Sequence, residues 1–144
     1  MTSTQLALFG AVLAQIGLAI VLYAMLIRAR FAAANDPATD RKKLAYDQSA
    51  WPLPARLISN SVSSQFELPV LFYAGALFAF QLGAIDWVSA GLAWVFVATR
   101  IIHAIIHTGK NIVMQRFGAF VSGFIALVIF WAYLAVHVFF AAQG

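Results

Sequence analysis

The sequence predicts an all-α integral membrane protein, a bundle of four transmembrane helices in one domain of residues 1–144. Hydrophobic residues make up 63% of the chain and charged residues 10%, whereas soluble domains are about half apolar and about a quarter charged. Three runs lack charged residues, and each reaches the roughly 18 to 20 residues that a helix needs to cross a bilayer. These runs are Leu6–Ile27, Leu68–Ile85 and Phe117–Gly144.

The boundaries of the four helices follow from charges, prolines and glycines. Arg28 ends the first apolar run, and Pro52 and Pro54 break helical continuity before the second helix. Gly83 opens a short turn before the third helix, whose apolar character continues past Arg100. The predicted helices are 5–27, 55–82, 87–108 and 116–142, with a long loop at 28–54.

Basic residues are concentrated in two connections between helices. The stretch Arg28–Arg56 holds six of the nine Lys and Arg residues, and Lys110 and Arg116 flank the turn before the fourth helix. The positive-inside rule therefore predicts that both basic connections are cytoplasmic and that both termini lie outside. Topology and contact with anionic lipid headgroups account for the net charge of +4, so no nucleic-acid partner is predicted.

Polar residues recur on one face of the third helix. With an advance of about 100° per residue, His103, His107 and Asn111 fall within about 60° of Arg100. Polar groups are costly in hydrocarbon, so they tend to face the protein interior or a cavity. The pattern predicts a polar stripe in the stretch Arg100–Asn111.

The second helix carries a matching polar face. Its members lie within about 60° of Asn60, and they are Arg56, Asn60, Ser63, Ser64 and Glu67. Because the second and third helices run antiparallel, a Glu67–Arg100 ion pair is the simplest way to neutralise both charges. Such a pair could also serve only to hold the two helices together.

The histidines allow several interpretations. His103 and His107 could act as polar contacts between helices, and His137 is interpreted as a boundary residue near the end of the fourth helix. No metal site is predicted, because the two histidines with Glu67 would still need further ligands.

The stripe also carries a family resemblance. The pattern Arg100-x-x-His103-x-x-x-His107-x-Gly109-Lys110, followed by Arg116, resembles the third helix and next turn of the MAPEG family, the membrane-associated proteins in eicosanoid and glutathione metabolism. The stretch Gln65–Tyr73 is similar to a second-helix segment of bacterial members. Further similarities are the long basic first loop and the residues Arg28, Arg30, Asn35 and Pro37.

The resemblance implies a homotrimer of a bacterial inner membrane, with glutathione bound as co-substrate between subunits at the cytoplasmic side. It implies a transferase or peroxidase whose lipophilic substrates, electrophiles or hydroperoxides, arrive from the bilayer. The chain has no cysteine, so the thiol would come from glutathione. Arg116 would stabilise the glutathione thiolate. Residues implied to line or support the tripeptide site are Arg28, Asn60, Ser64, Glu67, Arg100, His103 and His107.

The sequence also departs from the family pattern. Asn60 and Ser64 stand where the family has an arginine and an asparagine, and Phe117 and Phe120 replace polar residues of some members. An alternative is therefore a non-catalytic membrane scaffold or an accessory subunit of a larger membrane complex. A third hypothesis is a proton or ion pathway through Glu67, Arg100 and the histidines.

Overall fold

A computed structural model describes residues 1–141, which contain α-helices and short 3₁₀ turns and no β-strand. Two of the helices, α2 and α3, are halves of one apolar segment, so four segments are long and apolar enough to cross a membrane. The predicted all-α bundle is confirmed. The helices are α1 (Ser3–Asn35), α2 (Leu53–Ser63), α3 (Leu68–Gln81), α4 (Trp87–Thr108) and α5 (Val113–Ala141).

The first helix is longer than predicted. It begins after Thr2, which forms a capping box with Gln5, and continues to Asn35, eight residues past the predicted end at 27. Charge ends an apolar run but not a helix, and Arg28 is itself a good helix former. The Asn35 amide donates to the carbonyl of Phe31 at 3.0 Å. With 33 residues α1 is about 50 Å long, so it extends beyond the ~30 Å hydrocarbon core.

The predicted continuous helix at 55–82 is interrupted. A 3₁₀ turn at Ser64–Phe66 and a non-helical Glu67 (φ −100°, ψ −103°) separate α2 from α3. Pro69 supplies the physical reason, because it has no N–H to donate to the carbonyl of Gln65. The spanning segment is therefore broken near its middle, and backbone carbonyls there need other donors.

The remaining boundaries lie close to the expected ones. The third spanning helix, α4, begins after Asp86, whose carboxylate accepts from the N–H groups of Val88 and Ser89 at 3.0 and 2.9 Å. It ends at Thr108, as predicted, and α5 begins at Val113 rather than at residue 116. The predicted end of the last helix at residue 142 lies outside the described residues.

The core consists of two apolar clusters with a polar layer between them. The larger cluster is centred on Phe72, Phe96 and Phe130. The ring centroid of Phe72 lies 4.9 Å from that of Phe96 and 6.0 Å from that of Phe130. The smaller one lies nearer to the long loop and contains Leu22, Leu26, Ile58, Val62 and Ala104. Along α1, α2 and α4 the positions between the clusters are occupied by buried polar residues. These residues are Gln15, Ser61, Ser64, Gln65 and Arg100.

Candidate functional site

Arg100 is the central charge of the polar layer and is completely buried. Its Nη2 donates to the carbonyl and to the hydroxyl of Ser64, both at 2.9 Å. The break between α2 and α3 makes this possible, because the Ser64 carbonyl is free of the regular helical bond to Leu68. Arg100 thus caps the end of α2 from a neighbouring helix.

The predicted Glu67–Arg100 ion pair is not formed. Arg100 directs its hydrogen bonds to Ser64, and its Nε and Nη1 have no hydrogen-bond partner among residues 1–141. Glu67 is exposed at the break, where the backbone turns its side chain outward. The advance of about 100° per residue applies only to an unbroken helix. The 3₁₀ turn therefore changes the directions of the side chains that follow Ser63.

A polar cleft of about 360 Å³ opens between α2, α4 and α5. It brings together six of the eight site residues predicted from the sequence, including Glu67 despite the broken helix. Arg100 lies behind the Ser64 wall, and Arg28 is exposed on α1 and does not line this cleft in its own chain. The cleft is lined by Asn60, Ser64, Glu67, His103, His107, Val113, Arg116, Phe117 and Phe120.

The two histidines form the inner wall of the cleft. Both are buried, and their ring centroids are 5.5 Å apart in an edge-to-face arrangement. The ring of His103 also lies 6.0 Å from that of Phe120. The Nδ1 atoms of both rings are buried without a hydrogen-bond partner in the described part of the chain. An imidazole nitrogen can donate or accept, so these two atoms are available to a ligand.

Arg116 is held in place by the turn between α4 and α5. Its Nη1 donates to Oδ1 of Asn111 at 2.7 Å. Asn111 has φ of +49°, a left-handed conformation that asparagine tolerates better than most residues. The predicted polar stripe reached Asn111, but α4 ends at Thr108 and Asn111 belongs to the turn, so it does not share the helix face of Arg100. Asn111 contributes to the site through Arg116 instead.

Sequence reasoning missed the apolar wall of the cleft as well as one buried polar residue. Val113, Phe117 and Phe120 share one face of α5 with Arg116, a spacing of three and four residues that could have identified them. Gln15 is completely buried and donates through Nε2 to Oε1 of Gln65 at 2.8 Å. A lone amide inside an apolar run was the available signal.

The donor set suits an anionic, hydrogen-bonding ligand better than a metal ion. No group of three or more His, Cys, Asp or Glu side chains within residues 1–141 is arranged to hold a metal. His103 and His107, each with an unpartnered Nδ1, line the cleft together with Arg116, and Arg100 lies behind its Ser64 wall with Nε and Nη1 unpartnered. Buried polar atoms without partners are rare in proteins, so their concentration here indicates a place where another molecule supplies the missing bonds.

Four apolar spans with a polar cleft inside the bundle define an integral membrane protein. The sequence profile of the MAPEG family matches residues 8–136, nearly the whole chain, and the chain belongs to that family. Members of the family include glutathione-dependent transferases. A search of curated proteins and a search of solved structures found no match.

Proposed function

We propose that the protein is a glutathione-dependent membrane transferase or peroxidase that acts on lipophilic electrophiles or hydroperoxides. The observation that carries this proposal is the pair of buried, unpartnered Nδ1 atoms on His103 and His107, which line the same cleft as Arg116. Glutathione has two carboxylates, and charge-assisted hydrogen bonds from arginine are the strong way to bind them. The frequent use of glutathione in the family supports the same assignment.

Arg116 is the proposed catalytic residue. A guanidinium next to the glutathione sulfur favours the thiolate, which is the nucleophilic form. In conjugation a C–S bond forms as the leaving group departs from the electrophile. In hydroperoxide reduction the thiolate attacks the terminal oxygen, the O–O bond breaks, and the alkoxide leaves and is protonated to an alcohol. The resulting glutathione sulfenic acid then reacts with a second glutathione to give the disulfide and water. Phe117 and Phe120 give the lipophilic substrate an apolar surface beside Arg116.

His103 and His107 are proposed to bind glutathione together with Asn60, Ser64 and Glu67. The histidines contribute their Nδ1 atoms, and Arg100 supports the site from behind Ser64. Ser64 keeps Arg100 in position, since both of its oxygens accept from that guanidinium. Asn60 and Glu67 are exposed at the mouth of the cleft and are available to the peptide.

A homotrimer is proposed to complete the site. Exposed Glu67 and Asn60 lie within the spanning segment Leu53–Gln81, and a carboxylate facing lipid is costly. A second copy covering this face removes the cost and offers a place for Arg28, which does not line the cleft of its own chain. The typical oligomeric state of the family is consistent with this arrangement. The proposed setting is a bacterial inner membrane, with termini outside and the cleft toward the cytoplasm.

Calorimetry on detergent-solubilised protein tests the proposal. Glutathione should bind at millimolar or lower concentration, and a hydroperoxide should be reduced only when glutathione is present. Lys110→Gln is a matched control for Arg116→Gln, because Lys110 is an exposed cation in the same turn. Absence of any glutathione response in the wild type would contradict the proposal.

A second candidate is a non-catalytic membrane subunit on the family scaffold. The observation that favours it is that the carbonyl and the hydroxyl of Ser64 both accept from Arg100 already. Ser64 is then a structural contact between helices and not a ligand-binding residue. A stoichiometric membrane partner that co-purifies, together with no thiol-dependent turnover, would support this candidate over the enzyme.

A further inference from the structure

A second polar cleft lies next to the first, at the start of α2. It has a volume of about 380 Å³, and Asn60 belongs to both clefts. Nothing in the proposed glutathione chemistry uses its other residues. They come from the end of the long loop and from the first turns of α2, and they are Gln48, Ser49, Leu53, Arg56 and Leu57.

Arg56 is the cation of this second cleft. Its Nε is buried and has no hydrogen-bond partner, and none of its guanidinium nitrogens bonds to another of the described residues 1–141. The other arginines near it are occupied: Arg30 donates to Ser59 at 3.3 Å, and Arg116 donates to Asn111. A part-buried guanidinium without a counter-charge attracts an anion strongly, because the low-dielectric surroundings screen it less than water does.

Asp47, which directly precedes the loop residues Gln48 and Ser49 of the cleft, forms no hydrogen bond with Arg56. Asp47 accepts from the backbone and the hydroxyl of Ser49 at 2.8 and 2.6 Å, and the Ser49 hydroxyl bond comes first among the causes that hold the pKa of Asp47 below its ordinary value. Gln48 and Asn60 remain as neutral donors on the wall of the cleft. The cleft therefore presents one guanidinium and two side-chain amides to a bound group.

The position of the cleft selects an amphiphilic anion. Trp51, an aromatic residue typical of the membrane interface, lies under Arg30 with 5.1 Å from the guanidinium carbon to the ring centroid. This contact fixes the loop end to α1 at the point where α2 enters the bilayer. Leu53 is 57% exposed on the edge of the cleft, so an apolar surface adjoins the polar pocket.

The loop adds a long-range attraction of the same sign. Arg41, Lys42 and Lys43 are all exposed, and juxtamembrane basic residues attract anionic lipid. These three residues are too exposed to form a defined site. They raise the local concentration of anionic lipid beside the cleft that contains Arg56.

We infer that the Arg56 cleft is a binding site for the phosphate headgroup of an anionic phospholipid. The guanidinium and the amides of Gln48 and Asn60 hold the phosphate, and the acyl chains lie along Leu53 and Leu57. Asn60 also lines the first cleft, so the two clefts share one side chain. The lipid site stands whether or not the neighbouring cleft binds glutathione.

Native mass spectrometry of the detergent-solubilised protein with phosphatidylglycerol and phosphatidylcholine tests this inference. Wild-type protein should retain phosphatidylglycerol in preference to phosphatidylcholine, and Arg56→Gln should weaken that preference roughly tenfold, the loss expected for one charge-assisted pair. Lys43→Gln, the same charge change on the exposed loop, should weaken it less than about twofold. Equal losses in both variants would overturn a defined site in favour of diffuse attraction.

A second variant and a competition experiment test the same site independently of Arg56. Gln48→Ala changes an exposed loop residue, so it leaves the helices intact and should also reduce phosphatidylglycerol retention if the cleft is the site. Soluble glycerol phosphate is the competing source of the same chemistry. If it displaces phosphatidylglycerol at equal concentration, the site recognises a free anion and the lipid assignment is wrong.

Discussion

Arg100 on α4 caps a helix end on α2: its Nη2 lies 2.9 Å from both the carbonyl and the hydroxyl oxygen of Ser64. The carbonyl is available because Ser64 begins the 3₁₀ turn that interrupts the spanning segment. In hydrocarbon such a carbonyl must find a donor inside the protein. The buried charge of Arg100, which is costly in hydrocarbon, therefore supplies the donor that the Ser64 carbonyl needs at the break.

Ser64→Ala should destabilise the bundle. The hydroxyl accepts from Arg100 and donates to the carbonyl of Ser61 at 2.9 Å, so the variant loses two buried hydrogen bonds and about 1 to 2 kcal/mol. Thermal unfolding in detergent measures the loss. Ser63→Ala is the matched control, because Ser63 is exposed and its hydroxyl bonds only to its own helix. Equal melting temperatures for both variants would contradict the role assigned to Ser64.

Asn111→Gly should reduce turnover more than stability. Glycine accepts the φ of +49° without strain, so the turn survives, while the 2.7 Å bond that orients Arg116 is lost. We expect kcat with glutathione to fall roughly tenfold, with less change in glutathione affinity. Calorimetry and initial rates measured on the same preparation separate the two effects. A fall in affinity alone would place Asn111 in binding rather than in positioning.

Gly75→Ala should destabilise the larger apolar cluster. A Cβ at this position would lie 2.7 Å from Cε1 of Phe130, a completely buried ring with little room to move. Overpacking of this kind costs about 1 to 3 kcal/mol. Gly91→Ala is the control, since a Cβ there meets nothing within 4 Å and alanine favours the helix. The two variants should therefore shift the melting temperature in opposite directions.

Asp86→Ala should destabilise the protein at neutral pH and much less at acidic pH. Burial alone would raise the pKa of Asp86. Its carboxylate accepts hydrogen bonds from the backbone of Ser89, the hydroxyl of Tyr133 and the backbone of Val88. Together these bonds outweigh burial and hold the pKa below its ordinary value. A carboxyl group whose pKa is lower in the folded state stabilises the protein at pH values above its unfolded-state pKa of about 3.9. That stabilisation is lost as the pH falls through the folded-state pKa.

Melting temperatures at pH 7 and near pH 3 measure this effect. At pH 7 the loss should be about 1 kcal/mol, the usual contribution of an N-cap carboxylate. Asp40→Ala, in the exposed loop, should change the melting temperature little at either pH. If the difference in melting temperature between wild type and Asp86→Ala is the same at both pH values, the contribution of the ionised carboxylate is contradicted.

The fold was predictable because the bilayer dictates it. Apolar runs of spanning length must form helices, and Asp86 and the prolines mark their beginnings. The end of α1 was not predictable from apolar length, since the helix continues past Arg28 to Asn35 outside the hydrocarbon. The break at Ser64–Phe66 was signalled by Pro69, but its extent depends on donors from other helices.

The members of the candidate site could be predicted better than their contacts. Helical spacing placed His103 and His107 on one face, and both line the cleft. The predicted partner of Arg100 was wrong, because the carbonyl of Ser64, exposed by the break in the spanning segment, accepts from the guanidinium in place of a carboxylate. The spacing of charges gives no sign of that carbonyl. Phe117 and Phe120 were noted only as departures from the family pattern and not as a wall of the cleft, because apolar residues in an apolar helix do not stand out.

The cap on the Ser64 carbonyl has a consequence for the order in which the chain is assembled. Arg100 follows Ser64 by 36 residues, so the segment that contains Ser64 is synthesised before the helix that carries its donor. An unsatisfied carbonyl is costly in lipid, so the newly inserted segment keeps its own helical bonds as far as Pro69 allows. We therefore expect the break to be complete only after α4 has entered the membrane, so that the cleft forms late in the assembly of the protein.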